Sequence, residues 1–153
     1  MKTIKIGEKE YKIEFTIEAS LYNECTEKVA GLIFAISEAE GKEDIKKMIS
    51  SMSDIPQTAL TMFYAGLLEH HGEDGDKSVC SKSDAKKLIK QYIKEHSDDE
   101  TGNFYGVMEM LIEQMMADGF FKQIGLEQAA NQAAKQKKTA RNGRKKAAEP
   151  TEK

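Results

Sequence analysis

DIPQTALTMFYAGLLEHH, residues 54–71, is the stretch on which the fold turns. Between Gln57 and His71, Ala59, Leu60, Met62, Phe63, Tyr64, Ala65, Leu67 and Leu68 occupy most of the circumference of a helix. A helix that is apolar on nearly all sides belongs in the middle of a domain. Pro56 lies near its first turn, where a missing N–H leaves no intrahelical bond unmade. Gln57–His71 is therefore the predicted central helix.

Toward the C-terminus, GEDGDKSVC (residues 72–80) reads as a loop, and Ser83 is the expected cap of a helix bearing Leu88, Ile89, Tyr92 and Ile93. A second acidic loop, Ser97–Asn103, leads to the most regular segment of the chain. There Phe104, Val107, Met108, Leu111, Ile112, Met115 and Met116 recur at i, i+3, i+4 and predict a buried stripe. Met110 falls off that stripe and is the methionine expected to be exposed. Gly119 and Gly125 close the folded part, with Phe120, Phe121, Ile124 and Leu126 as its last large apolar residues.

Toward the N-terminus, Glu43–Met52 reads as a short helix with Ile45, Met48, Ile49 and Met52 on one side. Before it, Thr16 is a plausible N-cap, and Ile17, Leu21, Cys25, Leu32, Ile33 and Ile36 share a helical face that Gly31 divides and Gly41 ends. The opening KTIKIGEKEYKIEF alternates apolar and charged residues, the signature of a β-hairpin. A turn at Glu8-Lys9 places Ile6 opposite Tyr11 and Ile4 opposite Ile13. Ile4, Ile6, Tyr11, Ile13 and Phe15 then share one face for a helical layer to cover.

The expected fold is mainly α with a short N-terminal β-hairpin (α+β), with residues 1–126 as one domain and 127–153 as a basic tail. The chain has 153 residues, enough for a single core without staples. Beyond residue 128 alanine is the only apolar type, so little area offsets the entropy of ordering, and the tail is expected to be disordered until a partner orders it. Its Ala, Gln, Lys and Arg favour helix locally over Glu127–Lys138. The net charge of −3 conceals −9 on residues 1–128 and +6 on residues 129–153. Cys25 and Cys80 are too sparse for a disulfide scaffold and suit a reducing cytosol. The N-terminus lacks the apolar run of a secretion signal, and no apolar run approaches the ~20 residues of a bilayer span.

Chemistry is thinly represented. His70-His71 has too few neighbouring ligands for zinc and reads as a polar helix end. The run from Asp74 begins like a calcium loop but places Val79 sixth and Ala85 twelfth. The run from Asp98 places Glu109 twelfth but Asn103 sixth. Phosphate-binding glycine loops, nucleophile elbows and HExxH do not occur, so the chain reads as a non-enzyme with neither cofactor nor metal. The tail residues Lys135, Lys137, Lys138, Arg141, Arg144, Lys145 and Lys146 suit phosphates. Yet no aromatic side chain accompanies them, and the acidic body repels nucleic acid.

The hairpin KTIKIGEKEYKIEFTIEA, the helical body, the apolar helix beginning near Pro56 and the close in DGFFKQIG together resemble the tail assembly chaperones of long-tailed phages infecting Gram-positive bacteria. The resemblance spans residues 1–126 and lies in layout rather than in an invariant motif. It implies a protein that binds and solubilises the tape measure protein and helps recruit tail tube protein, with self-association left open. It also implies action in the cytoplasm of the bacterial host and absence from the finished virion. In this family a ribosomal frameshift often lengthens a minority of chains, and Lys137-Lys138 and Lys145-Lys146 suit an A-rich slippery stretch. A holdase of this kind needs an apolar groove between helices with a charged rim, and Met110, Phe120 and Phe121 are its candidate partner-binding residues. The alternatives are a regulator using the basic tail on nucleic acid, and a head–tail connector component.

Overall fold

The structure is a computed structural model and describes residues 1–38 and 54–147. A two-stranded antiparallel hairpin, β1 (Lys2–Ile6) and β2 (Lys9–Ile13), is followed by α1 (Ile17–Leu21), α2 (Asn23–Glu38) and α3 (Ile55–His71). Then come α4 (Lys82–Glu95), α5 (Phe104–Ala117), α6 (Phe120–Gln123) and α7 (Leu126–Ala147). The chain is thus mainly helical with an N-terminal hairpin, as the periodicities predict. The short helix expected over Glu43–Met52 lies outside the described residues.

The central position of α3 follows from its composition. It packs against β2, α1, α2, α4 and α5, and buries Ala59, Leu60, Met62, Phe63, Ala65 and Leu67 together with Thr58 and Thr61. A helix with so little polar surface gains only where neighbours cover it on several sides. Asp54 precedes its first turn and Pro56 lies within it.

The hairpin register differs from expectation by two residues. Ile4 pairs with Tyr11 and Ile6 with Lys9, so the turn is Gly7-Glu8 rather than Glu8-Lys9. Gly7 has φ +63° and Glu8 is not among the positive-φ residues, the pattern of a type II′ turn, which takes glycine at its first central position. Because the strand period is two, a shift of two leaves the apolar face intact. Ile4, Ile6, Tyr11, Ile13 and Phe15 are all buried as predicted.

Four backbone N–H groups of the hairpin and its exit find acceptors on the helices. Gly7 donates to both carboxylate oxygens of Glu95 at 3.0 and 2.9 Å, and Lys12 donates to His71 Nε2 at 2.9 Å. Glu14 donates to the Gly66 carbonyl at 2.9 Å, and Phe15 to Asp118 Oδ2 at 2.9 Å. Donors that a two-stranded sheet leaves open at its edges are thereby satisfied by the helical layer.

Further differences are local. The helix expected to divide at Gly31 breaks instead at Tyr22, whose extended ψ of 93° ends α1, while its carbonyl accepts from the N–H groups of Cys25 and Thr26 as α2 begins. The break rotates α1 relative to the buried Cys25, Val29 and Leu32 of α2, so Ile17 and Leu21 leave the face they share with Cys25 in the sequence pattern. Ala19 points inward in their stead. The cap of α4 is Ser81 rather than Ser83, because its Oγ accepts from the Asp84 N–H at 3.2 Å. Residues 126–147 form a helix that runs past the predicted Lys138, and Leu126 is the only buried residue among the described positions of α7. Local propensity rather than packing favours this helix.

Candidate functional site

The residues proposed from sequence as a groove do not form one. Met110 is only 5% exposed, because Tyr92 of α4 covers that side of α5 and directs its hydroxyl toward the Met110 sulfur at 3.8 Å. The expectation of exposure fails there, and it is Met116, placed on the stripe, that stands 65% exposed. The stripe itself was sound for Val107, Met108, Leu111 and Met115, which are buried. Phe120 is fully buried, with its ring 5.5 Å from that of Phe15. Phe121 is partly buried, packed on the core with its ring 6.3 Å from Phe120.

His70-His71 proves to be more than a polar helix end. His71 is 5% exposed, and its Nε2 accepts the Lys12 N–H, so the ring proton sits on Nδ1 and faces Asp76 Oδ2 at 2.9 Å. Ser78 Oγ is 3.2 Å from the same Nδ1 and donates to Asp76, as does the Ser78 N–H. The Ser78 hydroxyl, with the Ser78 N–H and His71, holds the Asp76 carboxyl down to about 2. Serine, histidine and aspartate thus meet, but the arrangement differs from a nucleophile–base–orienter relay. The nitrogen that would act as base is occupied by a backbone donor, and the serine lies on the aspartate side. The constellation ties the 72–80 loop and β2 to the end of α3. His70 is separately paired with Glu14, 2.7 Å from its Nε2.

A second polar hub joins α2, α3 and α4. Glu24 accepts from Lys82, from the Tyr22 hydroxyl at 2.7 Å and from Thr61 at 2.9 Å. The Lys82 ammonium first, then Tyr22, holds its carboxyl down to about 2. Burial, reinforced by the hydrogen bond to Glu24, pushes the Tyr22 phenol up. Tyr22 also meets the Tyr64 ring edge-on at 5.4 Å. Both hubs are saturated by their own partners, and among the described residues no three His, Cys, Asp or Glu side chains converge as metal ligands would.

Helix α1 carries two of the exposed large apolar side chains. Ile17 and Leu21, one turn apart, are 65% and 69% exposed and form an apolar ridge. Ile17 helps line an open cleft of about 430 Å³ with Glu14, Phe15, Thr16, Asp118 and Gln123, and the Met1 ammonium is paired with Asp118 at 2.9 Å. Glu18, next to Ile17 in the chain, borders a second cleft of about 230 Å³ lined also by Tyr64, Leu68, Glu73, Asp74, Val79 and Cys80. Burial opposes ionisation of Asp118, yet the N–H of Phe15 and the Gln114 amide contribute to holding its carboxyl below the usual range. Sequence reasoning missed this face because Ile17 and Leu21 fit the buried stripe. The one available signal was that Phe15 and Ala19, at i and i+4, offered a second apolar face two residues out of phase.

No helix of the described residues is long and apolar enough to cross a membrane. No protein-family model, no curated protein and no solved structure matches this chain.

Proposed function

We propose that this protein is a non-catalytic, protein-binding chaperone of the phage tail assembly kind. In this reading it holds the tape measure protein in solution in the cytoplasm of the bacterial host, helps bring tail tube protein to it, and leaves before the virion is complete. The observation that carries the reading is the Ile17–Leu21 ridge: two large aliphatic side chains held outward by the Tyr22 break, beside clefts bordered by carboxylates. Exposed apolar surface bounded by charge suits reversible capture of an apolar helix stripe, since the client must later be released. The layout of residues 1–126, which resembles this chaperone family, supports the same reading.

Co-expression of the chain with the longest helical protein encoded nearby tests it. The expected result is that the long protein stays soluble and co-purifies only when this chain is present. Equal solubility alone, with no co-purification, refutes the reading.

One observation favours a second reading. Lys137, Lys138 and Arg141 lie on one side of α7 and are exposed, a basic stripe that suits nucleic acid phosphates. That reading requires a salt-dependent mobility shift of DNA or RNA, abolished by deleting residues 129–153.

A further inference from the structure

Acidic side chains lie beside the ridge on α1. Glu14 and Asp118 line a cleft that Ile17 also lines, but Glu14 is paired with His70 and Asp118 with the Met1 ammonium at 2.9 Å. Glu18, Glu73 and Asp74 line a second cleft, and among the described residues no lysine or arginine lines it. We propose that this face receives an amphipathic helix of a partner protein that carries apolar residues one turn apart and lysine or arginine beside that stripe. The inference rests on the protein-binding reading above and adds the face used and the chemistry of the partner.

The spacing comes from α1 itself. Ile17 and Leu21 stand at i and i+4, so their Cβ atoms lie about 6 Å apart, the separation at which a facing helix presents its own i and i+4 side chains. Packing the two ridges together removes from water both aliphatic side chains, which the break at Tyr22 turns outward. Cations on the partner would then meet Glu18, Glu73 and Asp74, which sets orientation and speeds encounter more than it adds affinity. An anionic partner, nucleic acid included, is opposed by the same carboxylates. The basic α7 of a second copy has the right charge, but alanine is its only apolar residue beyond Leu126, so it brings little to bury against Ile17 and Leu21.

The test uses the full chain and a fluorescein-labelled helical peptide with leucines at i, i+4 and i+11 flanked by lysines. A second peptide has glutamate in place of each lysine. Anisotropy is read at low and high sodium chloride. The lysine peptide is expected to bind and to weaken as salt rises, and the glutamate peptide to bind at least tenfold more weakly. Ile17→Ser/Leu21→Ser alters only exposed side chains, and its fold is verified by circular dichroism. It is expected to weaken lysine-peptide binding at least tenfold. Glu18→Gln/Glu73→Gln is expected to flatten the salt dependence.

Equal binding of the two peptides, binding of neither, or an unchanged Kd in Ile17→Ser/Leu21→Ser overturns the proposal. So does a wild-type dimer that this double variant converts to monomer, which would assign the face to a second copy. The two readings fail separately. A tape measure protein still captured by Ile17→Ser/Leu21→Ser leaves the chaperone function standing and removes this face. Lysine-peptide binding that depends on Ile17 and Leu21, without any capture of the long client, does the reverse.

Discussion

Gly66 is where α3 crosses the exit of the hairpin, and replacing it with alanine tests the packing directly. A Cβ at Gly66 would lie 2.7 Å from Ile13 Cγ2 and 3.1 Å from Phe15 Cζ. Favourable carbon–carbon contact lies near ~3.5–4.0 Å, so something must move. Ile13 and Phe15 are fully buried and have little room to move, and the Glu14 N–H bonded to the Gly66 carbonyl at 2.9 Å keeps the helix from backing away. Overpacking of this kind costs about 1–3 kcal/mol. Alanine regains ~1 kcal/mol of helix propensity over glycine. The net expectation for Gly66→Ala is a loss of roughly 0–2 kcal/mol, a Tm drop of about 2–4 °C per kcal/mol for a domain of this size. Gly31 supplies the control, since it lies within α2, is exposed, and a Cβ there meets nothing within 4 Å. Gly31→Ala should therefore stabilise by about 0.5–1 kcal/mol. Urea titration with unchanged m-value measures both. In an Ile13→Ala background, which removes the nearest methyl, Gly66→Ala should cost about 1 kcal/mol less. If Gly66→Ala stabilises as Gly31→Ala does, or its cost is the same with and without Ile13, the close approach of α3 to the hairpin is refuted.

Three further expectations concern the polar hubs and the thiols. His71→Ala strands the Lys12 N–H against the core and should cost about 2 kcal/mol in denaturant titrations, with little cost meaning that the hairpin does not depend on this acceptor. Glu24 has its carboxyl at about 2 against an ordinary 4.5, so its contribution is full above about pH 4.5 and is lost as pH falls through about 2. Its side chain is 43% exposed, and solvent screening reduces the contribution to about 1 kcal/mol. The stability difference between wild type and Glu24→Gln should shrink across that window, and a flat difference would show that the network holds nothing. Burial pushes the Cys25 thiol up to about 12 while Cys80 is exposed, so one thiol should react rapidly with an aromatic disulfide in the native protein and both after unfolding. Two fast thiols in the native state would contradict the burial of Cys25.

The sequence by itself determined what depends on period and composition. Alternation in residues 2–15 specified the hairpin and its buried face, and because parity survives a shift of two, an error of two in register left that face correct. The nearly all-round apolar surface of residues 57–71 specified the central helix, and the lack of large apolar residues beyond Leu126 foretold a segment with nothing to bury. Tertiary structure decided which side of each helix finds a neighbour. Met110 and Met116 have the same chemistry, yet Met110 is buried, where Tyr92 reaches it from another helix, and Met116 is exposed. The candidate site was illegible for the same reason. Ile17 and Leu21 continue the period of Cys25, so along the chain they belong to the core. A single extended residue at Tyr22, held where its hydroxyl reaches Glu24 and its ring meets Tyr64, reverses that assignment. Period is a property of neighbours along the chain, whereas exposure is settled by groups distant in sequence that fold places alongside.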